Sequence, residues 1–492
     1  MLRAAPDEVN AQPRARGTAK GARYAPPRMR VALVTVYAHA ECTLKDVAGG
    51  YGTVFHIGDS LPARLLERAK THVAELPPVT AGHLAQAARA AGHEVRVCTV
   101  RRIPARRDAW PPRGAVHDTI PHDVDLALVH TSIVDATAER TVLAELSARG
   151  VRTIAWGAYA TARPQLFADV ADAVVRGEPE ALGAALFDPS LRGVVEAGWV
   201  RDLDALPFPD WSDFPIAQYR YAFLSRGTTL PVAGARGCAF GCGYCPWRAT
   251  APFRERDPER IVAEVRALVS RYGARAIAFR DPLFNLDADR VRALARGLQP
   301  LGVRFSAEMR ADRLDPALLE TLRDAGLRSL EIGVESVDRA MLAREHRKPP
   351  EHAQIERVVR AAHALGVRVV ANFMLGLPDD TEETFRASVA WAKRLDTFAV
   401  QFTVATPYPG TTLEEHARPR LRLAAPESHT GWEPTFAHEH LSEARIRALR
   451  EWAYLSYHYR PRYALRVART ALHALADRPQ RERKAANPSA HR

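Results

Sequence analysis

The stretch Gly237-Cys238-Ala239-Phe240-Gly241-Cys242-Gly243-Tyr244-Cys245-Pro246-Trp247 places three of the chain's five cysteines within eight residues, spaced Cys-x3-Cys-x2-Cys among glycines. Five cysteines so unevenly placed do not make a disulfide framework, so these three read as metal ligands. Three thiolates at this spacing can close on one iron-sulfur cubane. A cubane is commonly held by four cysteines, so three leave one iron open to an outside group, and an open position is what a catalytic metal needs. The glycines let the backbone wrap tightly and adopt positive φ where required. A zinc site would want a fourth Cys or His, whereas Cys42 and Cys98 lie far away in the sequence.

Working outward, the loop sits after a strand-like run and before helical sequence, inside a repeating strand-helix series. Strand-like segments are Pro231 to Arg236, Ala276 to Arg280, Arg304 to Ala307, Ser329 to Gly333, Arg368 to Leu375 and Ala399 to Ala405. Helical stretches, among them Pro258 to Tyr272, Asp287 to Leu298, Pro316 to Ala325 and Glu382 to Leu395, lie between them. Six βα units fit a partial, TIM-type (β/α)6 barrel over residues 230–417, with chemistry at the carboxyl ends of the strands. Upstream, residues 29–188 alternate in the same way: Val31 to Val36, Glu94 to Val100, Val124 to His130, Val151 to Trp156 and Ala173 to Arg176, with helices over Ala81 to Ala91 and Ala138 to Arg149. That order predicts a Rossmann-like, doubly wound α/β sheet. Residues 189–229, rich in Pro, Asp and aromatics, read as a linker. Residues 418–492 read as a helical segment, its aromatics a packing face, ending in a basic tail.

The cysteine loop and the strands that follow resemble the radical S-adenosylmethionine superfamily from about Leu230 to Ala417. The resemblance implies a 4Fe-4S cluster on Cys238, Cys242 and Cys245 whose open iron is chelated by S-adenosylmethionine. Reductive cleavage then gives a 5'-deoxyadenosyl radical. The resemblance also implies co-substrate contacts from Tyr244, beside the third cysteine; Asp281, in Phe-Arg-Asp-Pro-Leu-Phe rather than the family's Gly-Gly-Glu form; and Glu308 and Arg310, after the third strand. Glu335 and Ser336, after the fourth, and Gly376, in Phe-Met-Leu-Gly-Leu-Pro, complete that set. Thr406-Pro407-Tyr408-Pro409-Gly410-Thr411 matches the sixth strand end. An arginine fork is well suited to a carboxylate. Packing the loop, ordinary turns and surface salt bridges are the plain alternatives for these residues.

The first domain resembles the cobalamin-binding domain that precedes many such enzymes, most specifically at Ala173-Val174-Val175-Arg176-Gly177-Glu178-Pro179-Glu180. A doubly wound fold alone carries little functional information. The Asp-x-His-x-x-Gly signature that supplies a histidine to cobalt is missing: His39 and His56 are misplaced for it. Gly49-Gly50-Tyr51-Gly52 is a candidate lining segment. The pairing implies a cobalamin-dependent methyltransferase acting on a small metabolite, with an external one-electron reductant such as flavodoxin or ferredoxin. The alternative is a cobalamin-associated cyclase or rearrangement enzyme. A methylthiotransferase should carry three further upstream cysteines, and a zinc-stabilised nucleic-acid-binding protein would need zinc without iron.

Charge bears on that last class. The chain of 492 residues carries a net charge of +12, but residues 1–30 hold seven basic against two acidic side chains, and residues 477–492 five against two. The remainder is nearly balanced and shows no basic stripe of the kind that tracks phosphates. A disordered basic leader over residues 1–28 is expected. No segment approaches the roughly 18 unbroken apolar residues of a membrane span, so a cytoplasmic location is expected.

Overall fold

A computed structural model describes residues 28–39, 42, 44–71, 74–102, 120–221, 224, 227–422 and 425–466. The basic leader up to residue 27 and the basic tail from residue 467 lie outside the described residues. Among the described residues no helix is long and apolar enough to cross a membrane.

The first sheet contains β1 Arg30–Tyr37, β2 Glu94–Arg101, β3 Leu126–His130, β4 Arg152–Trp156, β5 Ala173–Gly177 and β6 Gly193–Gly198. Their order is β2-β1-β3-β4-β5-β6, and every pairing is parallel. The central strand β3, Leu-Ala-Leu-Val-His, is buried at all positions, as a parallel strand covered on both faces must be. Leu33, Leu128 and Ile154 face one core, and Val34, Val129 and Ala155 the other. Helices α1 Val79–Ala90 and α2 Ala136–Ala148 supply the cover. The direction in which successive strands are added to the sheet reverses between β1 and β3, the crevice where such sheets bind ligands.

The second sheet runs β12-β11-β10-β9-β8-β7, all parallel and in chain order. Its strands are β7 Thr229–Val232, β8 Ala276–Phe279, β9 Arg304–Met309, β10 Leu327–Glu335, β11 Arg368–Leu375 and β12 Ala399–Val404. This is the expected open six-stranded barrel. Its helices are α3 Pro258–Tyr272, α4 Ala288–Leu298, α5 Pro316–Asp324, α6 His352–Ala364 and α7 Glu382–Leu395. Asp257-Pro258 and Asp315-Pro316 start α3 and α5: the aspartate accepts from a first-turn amide, and proline, which has no amide to satisfy, follows.

Two sequence expectations change. The strand expected over Pro231 to Arg236 stops at Val232; Ala235–Arg236 instead pairs with Arg254–Glu255 as a small ribbon under the cysteine loop. The segment read as a linker is packed structure. Gly193–Gly198 is the edge strand of the first sheet, and Trp211 is fully buried. Asp210 is held by Tyr272 at 2.8 Å and by Arg89 at 2.9 Å, one contact from each domain. The residues of that edge strand are mostly exposed, and its partner, β5, is supplied only by the fold.

The last described helix, α8 Glu443–His458, closes the outer side of β12. Tyr454 Oη accepts from the Phe402 amide at 3.0 Å and Tyr457 donates to Thr397 O at 2.6 Å. The aromatic face is therefore a packing face. Arg450, 1% exposed, reaches across to Ile57 O at 3.0 Å.

The domains are joined by a buried ion cluster. Glu178 takes both guanidinium nitrogens of Arg254 at 2.8 Å, and Arg236 meets Glu180 at 2.8 Å and Glu178 at 3.1 Å. Burial works to raise Glu178, and the Arg254 hydrogen bonds with the Arg236 charge outweigh it, leaving its carboxyl below the usual range. Replacing Glu178 with alanine leaves the buried Arg254 guanidinium without a carboxylate and Arg236 with Glu180 alone. It is expected to cost about 3–5 kcal/mol, read as a lowered thermal unfolding midpoint.

Candidate active site

The cysteine loop begins one residue after Arg236. Gly237 has φ +67, and a Cβ there would lie 2.4 Å from the carbonyl oxygens of Ala251 and Pro252, so the tight entry into the loop requires glycine. The loop is fastened by Gly243 N donating to Glu345 O at 2.8 Å and by Leu413 N donating to Gly243 O at 2.9 Å. The Phe240 amide donates to Cys238 Sγ at 3.5 Å. Cys238, Cys242 and Cys245 are half-buried, whereas Cys42 and Cys98 are buried in the other domain. Burial raises the Cys238 and Cys245 thiols, and Cys242 beside them raises both further. Three cysteines whose thiolates would repel one another, in a glycine-rich loop with an amide already aimed at sulfur, fit a cluster that draws the thiolate charge onto iron.

Around this loop the barrel brings several side chains together. Arg310 lies 4.6 Å from the Phe240 ring centre, its fork held by Asp312 at 2.7 and 2.9 Å. Glu335 ends β10 at φ +67, a sparsely populated conformation for a non-glycine residue that clusters at functional sites. Burial raises its carboxyl above the usual range despite Arg347, 3.5 Å away. Arg347, which sequence reading missed, is 8% exposed, donates to Gly333 O and sets its charge near Cys242. It follows a turn after a short helix and belongs to no motif. Tyr244 packs with Met341, Leu342 and Leu377, and its buried hydroxyl has no partner.

Deeper in the barrel, Glu308 faces Glu331 across the β9–β10 pairing. Burial and the Glu331 charge hold Glu308 protonated above the usual carboxylate range. Tyr221 donates to Glu331. Nearby Arg280 makes a two-pronged pair with Asp46 of the first domain at 2.8 and 3.0 Å.

Three expected contact residues already hold backbone, Asp281 through only one of its two carboxylate oxygens. Asp281, 1% exposed, accepts from Gly234 N at 2.6 Å and so holds the turn that leads into the cysteine loop. Ser336 accepts from Asp338 N at 3.1 Å and meets Ser388. The Gly376 amide donates to Asp380 at 2.9 Å.

A cleft with about 880 Å³ of empty space, mouth included, separates the two domains. The carboxyl ends of β3, β4 and β5 supply His130, Trp156, Gly157 and Gly177. Gly49 and Gly50 come from the loop after β1, and Arg236, Gly237 and Trp247 from the cysteine loop's surroundings. Gly157, at φ +125, leaves room that a Cβ would close, 2.7 Å from Thr131 O. His39 and His56 do not line this cleft; His56 lies 3.3 Å from Glu67 instead.

A doubly wound sheet opening onto a three-cysteine barrel defines a class, and the family comparison agrees: residues 232–392 match the family model of the Radical SAM superfamily. The chain is a radical SAM enzyme, whose cofactors are a 4Fe-4S cluster and S-adenosylmethionine. It is 28% identical over 320 residues to an uncharacterised methyltransferase of Pyrococcus horikoshii, covering 60% of this chain and 69% of that protein. It is 24% identical to the bacteriochlorophyllide d C-12(1)-methyltransferase of Chlorobaculum tepidum, covering 67% of this chain and 73% of that one. Its fold matches the radical S-adenosylmethionine methyltransferase TsrM from Kitasatospora setae, solved with cobalamin and a 4Fe-4S cluster. There the TM-score is 0.56 at 16% identity, covering 86% and 85% of the two chains.

Two predictions follow from the geometry. Alanine at Cys238, Cys242 or Cys245 is expected to abolish cluster retention, read as iron and sulfide content, while alanine at Cys42 or Cys98 leaves both unchanged. Burial raises Asp281 from 3.8 to about 6, so the folded chain resists its ionisation between those pH values. Relative to Asp281→Asn, the wild type should lose stability as pH rises through that window and level off about 3 kcal/mol lower, measured by denaturant unfolding of the cluster-free protein.

Proposed function

We propose that the chain is a cobalamin-dependent radical SAM methyltransferase acting on an unactivated centre of a small molecule. The observation that carries this reading is the interdomain cleft, because one cavity is lined by the switch point of the first sheet and by the residues flanking the cysteine loop. A corrinoid held by the first domain would thus lie against the cluster. When bound, the cluster supplies the electron that splits the sulfonium of S-adenosylmethionine, and the corrinoid supplies a methyl carrier.

The remaining work belongs to the chain. Cys238, Cys242 and Cys245 hold the cluster. Arg347 sets its charge beside Cys242 and would offset the negative charge of the cluster. Arg310 and Glu335 flank the loop as contacts for the charged and polar ends of S-adenosylmethionine, with Tyr244 closing its apolar side. Glu308, held protonated, donates a hydrogen bond into the lumen rather than repelling an anion there. Trp156, Trp199 and Trp247 wall the cleft and exclude water from it. An external flavodoxin or ferredoxin supplies the electron, which suits a cytoplasmic enzyme.

Protein purified without oxygen from cobalamin-supplied cells should retain both cofactors. On reduction and addition of S-adenosylmethionine it should release S-adenosylhomocysteine in proportion to the cobalamin bound, as well as 5'-deoxyadenosine. Formation of 5'-deoxyadenosine with no S-adenosylhomocysteine would turn the reading to a cyclase or rearrangement enzyme.

A further inference from the structure

The sheet lacks the histidine that would follow β1, yet a different histidine occupies its switch point. His130, the last residue of β3, is 4% exposed, lines the interdomain cleft and stacks on Trp156 at 4.5 Å between ring centres. Its Nδ1 is buried without a hydrogen-bond partner, so no bond from that nitrogen to the chain occupies the ring. The ring lies against Gly157, where a Cβ would come within 2.9 Å of its Cδ2.

Several other polar groups around the cleft are committed, while Trp156 Nε1, a donor with no lone pair to offer a metal, is unpartnered. Asp46 is paired with Arg280, and Glu178 with Arg254. Thr161 Oγ1 donates to Gly157 O at 2.8 Å, and Thr250 Oγ1 donates to Trp247 O at 3.3 Å. Among the described residues, His130 is the cleft's uncommitted neutral nitrogen base. Burial, with the Lys45 charge behind it, drops its pKa to about 3, so the imidazole is unprotonated and its lone pair is available near neutral pH.

We propose that His130 is the protein's axial base for cobalt, supplied from the end of β3 instead of from the loop after β1. This rests on the corrinoid reading of the cleft. Coordination needs no proton release, since the ring is already neutral; its lone pair replaces water or the cofactor's own pendant base in the lower axial position.

The test is electron paramagnetic resonance of the cobalt(II) state in full-length protein reconstituted with hydroxocobalamin. A nitrogen ligand splits each cobalt line into a triplet, and protein carrying 15N-histidine should show doublets instead. His130→Gln and His130→Ala should bind cobalamin yet lose the histidine-derived splitting, and the labelled wild type keeps the result independent of whether either variant folds. Bound cobalamin whose lines do not respond to 15N-histidine would overturn the assignment while leaving the corrinoid reading intact. Wild-type protein that retains no cobalamin would overturn both.

Discussion

The cluster domain and the sheet domain are held in one geometry by four charged side chains: Glu178 and Glu180 at the end of β5, and Arg236 and Arg254 on the ribbon beneath the cysteine loop. None of the four side chains is more than 14% exposed. Taking such charges out of water offsets much of their attraction, so the cluster's contribution is register more than net stability. Arg236 is the residue before Gly237, so the ion cluster ties the start of the cysteine loop to the carboxyl end of β5. The cleft between the domains owes its shape to this junction. Arg280–Asp46 repeats the device on the lumen side, and the Tyr51–Tyr408 stack, 5.6 Å between ring centres, repeats it with aromatic surface.

Within the barrel the side chains divide by whether their polar atoms are already used. Ser336, the Gly376 amide and one oxygen of Asp281 are spent on shaping turns at the strand ends, while the other Asp281 oxygen is buried without a partner. Glu308, Glu335 and the Tyr244 hydroxyl face enclosed space under conditions that penalise charge or leave a donor unpaired. Groups of the second kind are disfavoured in an empty fold, and a bound co-substrate would relieve that cost. The positive φ of Glu335, beside Arg347 and Cys242, concentrates backbone strain where the cluster loop meets the fourth strand of the barrel.

Much of this was legible in the residue pattern. The strands from Arg30 to Gly177 and from Ala276 to Val404 follow apolar runs whose period and length report burial directly. Asp-Pro pairs mark helix starts, and the cysteine spacing marks the metal loop. The edge strand Gly193–Gly198 was not legible, because its residues are mostly exposed and its pairing depends on a neighbour twenty residues away. Arg347 carries no local signal either; it reaches Cys242 only because the turn after the short helix Arg339–Arg344 folds back under the loop.

By itself, the sequence determined the two parallel α/β units, their order and the three thiols that define the chemistry, since each is written in local periodicity or spacing. The tertiary structure decided which polar groups remain available. It turned Asp281 and Ser336 inward to hold backbone, carried Arg347 to a cysteine, and set His130 uncommitted at the switch point. Those outcomes depend on hydrogen bonds between residues distant in the chain, and no periodicity records whether a buried polar atom has found its partner.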